Sequence, residues 1–163
     1  MTGSPDSRPS LRLLALLVSL AAVAVVALLG GLASADAAAD YAKLTQPSWA
    51  PPSWLFGPAW GGLYLLMAVA AWLVWRADPS PRNQAIRVYA VQLLVNLSWS
   101  PLFFGLELRG VALAVILLLD VLVVVTIVLF WRVRRSAAVL LLPYLGWILF
   151  ATALNYAVWS LNS

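Results

Sequence analysis

Cysteine and histidine are both absent from the 163 residues, and charged side chains make up only 10% of them. Each absence removes a class of chemistry. Without cysteine there is no disulfide framework and no thiolate nucleophile. Without either residue, zinc sites built on Cys and His are excluded, as is Cys or His ligation of haem iron. Histidine general-base catalysis is excluded with them. The shortage of charge is as informative. A soluble domain carries roughly 25% charged residues, whereas this chain is 64% hydrophobic with a mean hydropathy of +0.95. So few charges cannot build a water-facing surface, and lipid must be the solvent for most of it. The length allows one domain. The net charge of +4 is no nucleic-acid footprint, because the charges sit in short gaps between apolar runs and form no basic stripe. A lipid bilayer is the expected surrounding, and no nucleic acid is an expected partner.

A helical span needs about 20 apolar residues to cross about 30 Å of hydrocarbon. Five segments qualify, at about 11–33, 55–75, 83–105, 111–131 and 137–161. Barrel strands would alternate apolar and polar residues over about ten positions, which these runs do not do. The sequence therefore predicts an all-α membrane protein, a five-transmembrane-helix bundle over residues 11–162 behind a short cytoplasmic tail at 1–10. Arg8, Arg12 and the later Ala33-Ser34-Ala35 resemble a signal peptide with its cleavage site. The apolar core from Leu13 to Leu32 is longer than the roughly 7–15 residues of such a segment, so it is expected to stay as a membrane helix. On it, Ala27 and Gly31 would let a neighbouring helix approach closely. Arg8, Arg12, Arg76, Arg82, Arg87, Arg132, Arg134 and Arg135 fall on one side of the bundle, against Lys43 and Arg109 on the other. The positive-inside rule then places the N-terminus in the cytoplasm and the C-terminus and the 34–54 loop outside. That loop carries Pro47, Pro51 and Pro52 with Trp49 and Trp54. Proline stiffens it; its two tryptophans read equally as parts of a lid or of an interfacial aromatic belt.

Nine tryptophans are present. Trp75, Trp131 and Trp159 lie near span ends and read as interfacial anchors. Others lie deeper, in register with polar groups: Gln92, Asn96, Trp99 and Phe103 on one face of the third helix, Trp60, Tyr64 and Met67 on the second, and Tyr144, Trp147, Ala151 and Asn155 on the fifth. An amide in hydrocarbon needs a partner, so Gln92, Asn96 and Asn155 must face the interior, either as interhelical glue or as the polar points of an aromatic pocket for a flat apolar ligand. Asp120 is the one acid near mid-span and no base lies at its depth. A structural hydrogen bond to another helix is its expected role, outside any ligand site.

Three separated motifs carry a resemblance. Pro47-Ser48-Trp49-Ala50-Pro51-Pro52-Ser53-Trp54 leads into Phe56-Gly57-Pro58-Ala59-Trp60 with Leu63-Tyr64. Then come Gln92-Leu93-Leu94-Val95-Asn96-Leu97-Ser98-Trp99-Ser100-Pro101 with Phe103-Phe104-Gly105, and Pro143-Tyr144-Leu145-Gly146-Trp147 with Ala151 and Leu154-Asn155. In this order they resemble the TspO/MBR family of tryptophan-rich sensory proteins and translocator (peripheral benzodiazepine receptor) proteins, over nearly the whole chain. The resemblance implies a five-helix bundle, commonly a homodimer, binding porphyrins such as protoporphyrin IX and haem, synthetic isoquinoline carboxamides and benzodiazepines, and in animals cholesterol. It places ligand-binding residues at Trp49, Pro51, Trp60, Tyr64, Asn96, Trp99, Trp147 and Ala151. It requires no cofactor or metal; porphyrin or haem is a ligand. Some bacterial relatives degrade protoporphyrin in light, with tryptophans matching Trp60 and Trp147 implicated. The cholesterol motif of animal members departs here, since Trp159-Ser160 stands where a basic residue is needed after Leu154-Asn155-Tyr156.

Three functions follow as expectations: a membrane sensor, regulator or carrier that binds tetrapyrroles, a light-dependent porphyrin-degrading enzyme, and a small-molecule transporter. The last lacks the internal repeat common in transporters. Arginine in place of lysine and abundant Ala, Val and Leu suggest a bacterial plasma membrane protein.

Overall fold

In the computed structural model, which describes residues 7–32, 37–77 and 79–163, the described chain is helical apart from short connections. Residues 1–6 of the tail and the Ala33-Ser34-Ala35 motif lie outside the described residues. The elements are α1 (Ser7–Leu32), α2 (Ala37–Lys43), a 3₁₀ turn (Ser53–Leu55), α3 (Phe56–Trp75), α4 (Pro79–Ser100) running into a π-helical turn (Pro101–Gly105), α5 (Arg109–Val133), α6 (Arg135–Leu140) and α7 (Leu142–Leu161). Five helical stretches among the described residues are long and apolar enough to cross a membrane: Leu13–Leu32, Ser53–Trp75, Ser80–Gly105, Arg109–Val133 and Arg135–Leu161. The protein is an all-α integral membrane protein with five spans, as its sequence predicts.

Three local departures from simple apolar runs have identifiable causes. The loop after the first span is not extended throughout. Its alanine-rich start forms α2, helped by an Asp40–Lys43 pair at 3.0 Å that sets the cation at the C-terminal end. At the end of α4, Pro101 has no N–H to give Leu97, and the ladder widens until the Leu106 amide reaches the Pro101 carbonyl at 2.9 Å. The fifth span breaks at Leu141, because Pro143 enters the first turn of α7 and cannot donate to Val139.

The helices close a ring in which α1 packs on α3 and α4, α4 on α5, α5 on α7, and the α6–α7 span returns to α3. The contacts are apolar and often small. Met67, Ala68, Ala70 and Val74 on α3 and Ala137 and Ala138 on α6 are wholly buried. Small residues let backbones approach where hydrocarbon gives no hydrophobic drive of its own. Outward, α1 presents Leu13, Leu17 and Leu28 and α5 presents Val121 and Val125, all exposed to what must be lipid.

At the end where α3 meets α4 and α5 meets α6, arginines cap tryptophans. Arg76 lies 4.8 Å from the Trp72 ring centre, Arg82 4.7 Å from Trp75, and Arg135 5.7 Å from Trp131. A cation over an amphipathic ring suits the headgroup region, where one face is wet and the other greasy.

Phe130 on α5 is fully buried, its ring 5.7 Å from Tyr89 on α4. Phe130→Ala is expected to destabilise the bundle by about 3–5 kcal/mol through lost packing and a residual cavity. Val121→Ala on the outer face should leave the thermal midpoint in detergent nearly unchanged; equal effects of the two would refute the assignment of inside and outside.

Candidate ligand cavity

A cavity of about 470 Å³ lies between α1, α3 and α4, with α2 and the 3₁₀ turn at its mouth. Six of its wall residues have almost no side chain: Ala27, Gly30 and Gly31 on α1, Ala37 on α2, and Gly57 and Gly61 on α3. A Cβ built on Gly31, Gly57 or Gly61 meets nothing within 4 Å, and on Gly30 only Leu97 Cδ1 at 3.9 Å. Ala27 and Gly31 thus border a void instead of forming the tight helix seam expected from their spacing. The remaining wall is aromatic, with Trp60 stacked on Tyr64 at 5.3 Å and Trp99 meeting Phe104 edge-on at 6.1 Å.

At the inner end of the cavity the polar side chains form a directed chain. The Tyr64 hydroxyl donates to Asn96 Oδ1 at 2.9 Å, Asn96 Nδ2 donates to the Tyr144 hydroxyl at 3.0 Å, and that hydroxyl donates to Gln92 Oε1 at 3.0 Å. A second chain starts at the wall: Trp99 Nε1 donates to Asn155 Oδ1 at 2.9 Å, and Asn155 Nδ2 to the Arg109 carbonyl at 3.1 Å. Gln92, Asn96, Tyr144 and Asn155 are all buried. The amides are interhelical glue, and Asn96 also faces the cavity, so the two roles coexist in one residue. Asp120 lies apart, between α5 and α7. The Thr152 hydroxyl sits 2.9 Å from its Oδ2 and 3.0 Å from the Ile148 carbonyl, and its one hydrogen serves one acceptor at a time.

The structure brings together Trp60, Tyr64, Asn96 and Trp99 on the cavity wall. It puts the other four residues of the expected set elsewhere. Trp147 and Pro51 line a separate, open depression between α3 and α7, with Gly146 and Phe150. Phe56, which does line the cavity, meets Trp147 edge-on at 5.9 Å. Trp49 packs edge-on against Phe150 at 5.8 Å and is half exposed, and Ala151 is buried in the bundle core. Cavity residues outside the expected ligand-binding set include Tyr41, Ser53, Phe56 and Phe104. Gly57 and Gly61, one turn apart ahead of Tyr64, were the available signal for a hollow on that face.

The proline-rich segment is clasped to the end of α7. Asn162 accepts from the Thr45 amide at 2.9 Å and donates to the Thr45 carbonyl at 2.9 Å, pairing a side-chain amide with a backbone as a β-ladder would. Tyr41 on α2 sits edge-on to Phe56 at 5.4 Å, and burial pushes its phenol above the ordinary tyrosine range, so it keeps its proton at neutral pH.

Comparison with known proteins agrees with this architecture. Residues 18–160 match the model of the TspO/MBR family. The chain belongs to the TspO/MBR family. It is 39% identical to the tryptophan-rich protein TspO of Archaeoglobus fulgidus over 154 residues, covering 94% of this chain and 100% of that one. It is 42% identical to the human translocator protein over 125 residues, covering 75% and 74% of the two chains. Protein CrtK of Rhodobacter capsulatus is 40% identical over 126 residues, covering 75% and 78%. Within this family member, the motif residues of α4 are those that hold the inner wall of the cavity.

Tyr144→Phe removes the hydroxyl between Asn96 and Gln92 and leaves two buried amide groups short of a partner. It should destabilise the protein by roughly 1–3 kcal/mol, read as a lower thermal midpoint in detergent, and no change would refute the chain of hydrogen bonds. Asn162→Ala should raise amide hydrogen exchange at Thr45 about fivefold, matching roughly 1 kcal/mol for the lost bond, while mid-α7 amides stay protected. Unaltered exchange at Thr45 would rule out the clasp.

Proposed function

We propose that this protein binds tetrapyrroles, such as protoporphyrin IX and haem, and similar flat apolar ligands within the bilayer, acting as a sensor, regulator or carrier. The observation that supports it is the cavity of about 470 Å³ with Trp60 and Trp99 as walls and Tyr64 and Asn96 as its polar points. Small-molecule sites run from roughly 300 to 1,000 Å³ and combine apolar walls with a few fixed polar groups. Aromatic rings offer a large flat macrocycle stacking surface, and the small residues of α1 and α3 leave the slot open. The family resemblance supplies the ligand class. The same reading makes the protein a homodimer in a bacterial plasma membrane with its N-terminus cytoplasmic, which cross-linking in membranes and protease access to the 34–54 segment test.

Light-driven porphyrin degradation is the second reading, resting on Trp60 and Trp147. In this arrangement Trp60 lines the cavity and Trp147 sits beyond Phe56, so an electron or hole would have to pass between rings in edge contact. Illumination of the protein with protoporphyrin in air, compared with Trp147→Phe, separates the readings; equal product from both would exclude a reaction that depends on Trp147. Transport is tested by uptake into proteoliposomes.

With no His or Cys in the chain, binding should not depend on the usual strong axial bonds to iron. Metal-free protoporphyrin and haem are therefore expected to quench tryptophan fluorescence in detergent with dissociation constants within about tenfold of one another, a difference under about 1.4 kcal/mol. Asn96→Leu should weaken both. Absence of saturable quenching by either ligand would defeat the binding function.

A further inference from the structure

Charge is shared unevenly between the two ends of the bundle. The end at which α1 begins, α3 meets α4 and α5 meets α6 carries eight of the ten basic residues and two of the six acids. The opposite end carries two and three. Both ion pairs among the described residues, Asp40 with Lys43 and Glu107 with Arg109, belong to that opposite end. At the arginine-rich end the densest cluster is the connection between α5 and α6. Arg132, Arg134 and Arg135 are all exposed there, and their guanidinium groups have no hydrogen bond or ion pair among the described residues. The chain breaks sharply at Arg134, which is extended at φ −156° and ψ 110°. Three like charges within four residues repel one another, and an anion placed among them relieves that repulsion.

An apolar track leads to this cluster. Val121, Val124, Val128 and Trp131 follow one another at three- and four-residue steps along one face of α5, and all are exposed. Arg135 continues the series, its guanidinium 5.7 Å from the Trp131 ring centre. From Val121 to Trp131 the helix rises about 15 Å, half of a hydrocarbon layer about 30 Å thick. The face therefore runs from aliphatic to indole to cation over the depth of one leaflet. A phospholipid presents the same order, from acyl chain through the glycerol esters to phosphate. Indole rings settle at that ester level, and a guanidinium above one still offers a fork of N–H donors that matches two phosphate oxygens.

We propose that the α5–α6 corner binds an anionic phospholipid from the leaflet at the arginine-rich end, its phosphate held by Arg132, Arg134 and Arg135 and one acyl chain lying along Val121 to Trp131. Charge complementarity selects the headgroup. A zwitterionic lipid brings its own cation into a cluster that already holds three, whereas a lipid with net negative charge brings only the counter-charge the corner lacks. The track selects the lipid over a free phosphate, which has the charge but nothing to lay against the valines. No residue of α5 lines the cavity between α1, α3 and α4, so this site stands apart from the tetrapyrrole reading and is tested independently of it.

The test titrates dioleoyl phosphatidylglycerol, dioleoyl phosphatidylcholine and inorganic phosphate into the delipidated full-length protein in an uncharged detergent, with bound molecules counted by native mass spectrometry. The parent should hold phosphatidylglycerol about tenfold more tightly than phosphatidylcholine, and inorganic phosphate should not displace it. The corner variant, Arg132→Gln with Arg134→Gln and Arg135→Gln, should lose that preference. A matched variant, Arg8→Gln with Arg12→Gln and Arg87→Gln, removes as many charges from the same end and should keep it. Thermal midpoints separate binding from folding: without lipid the corner variant should melt close to the parent, and on adding phosphatidylglycerol it should rise less. Equal retention of the two lipids by the parent overturns the site, as does a preference that survives in the corner variant. Equal loss in the matched variant overturns it too, by assigning the effect to the field of the whole end. Displacement by inorganic phosphate makes the corner a plain anion site, and a large fall in the lipid-free midpoint of the corner variant makes its arginines part of the scaffold; either result overturns the proposal.

Discussion

The constraint on which this structure depends is that a side-chain amide inside a membrane has no water to turn to. Gln92, Asn96 and Asn155 are buried within the spans, and each must meet a partner from another helix or bear the cost of an unsatisfied polar group in hydrocarbon. The chain from Tyr64 through Asn96 and Tyr144 to Gln92 meets that demand by tying α3, α4 and α7 at one level. The bond from Trp99 to Asn155, and from Asn155 to the Arg109 carbonyl, ties α4, α7 and the start of α5 at another. Apolar packing is permissive about register, because one aliphatic contact resembles the next. Hydrogen bonds of defined length and direction are not. They fix the height at which each helix stands against its neighbours.

With the heights fixed, the small residues decide where the bundle is hollow. Ala68, Ala70 and Ala71 on α3 are buried and close the lower half against α1 and the α6–α7 span. Above them Gly57 and Gly61 face Gly30 and Gly31, and there the same shortage of side chain leaves space, because no larger group from another helix reaches in. Small residues therefore do two opposite things in one helix pair. Which of the two occurs depends on how far apart the backbones stand at that level.

The segment between the first two spans completes the cavity. Proline stiffens it, but stiffness alone gives no position. Position comes from Asn162 gripping Thr45, from Trp49 against Phe150 and from Tyr41 against Phe56. The C-terminal end of α7 thus acts on the mouth of a cavity whose walls belong to α1, α3 and α4, a link that runs through the strap.

Much of this was legible in the residues. Composition alone required lipid as solvent, since 10% charge cannot clothe a soluble surface. Run length separated five spans, and the helical repeat identified the inward faces of α4 with its π-helical turn and of α7, where Gln92, Asn96, Phe103, Tyr144 and Asn155 are all buried. What periodicity cannot supply is the identity of the neighbour. The sequence marked Trp60, Trp99 and Trp147 as inward-looking aromatics, and only the ring order of the helices put the first two on one cavity and the third beyond Phe56. The α2 helix and the widened turn at Pro101 were likewise settled by tertiary contacts. A one-dimensional pattern records how polar each face of a helix is; which faces meet, and at what separation, is a property of all five packed together.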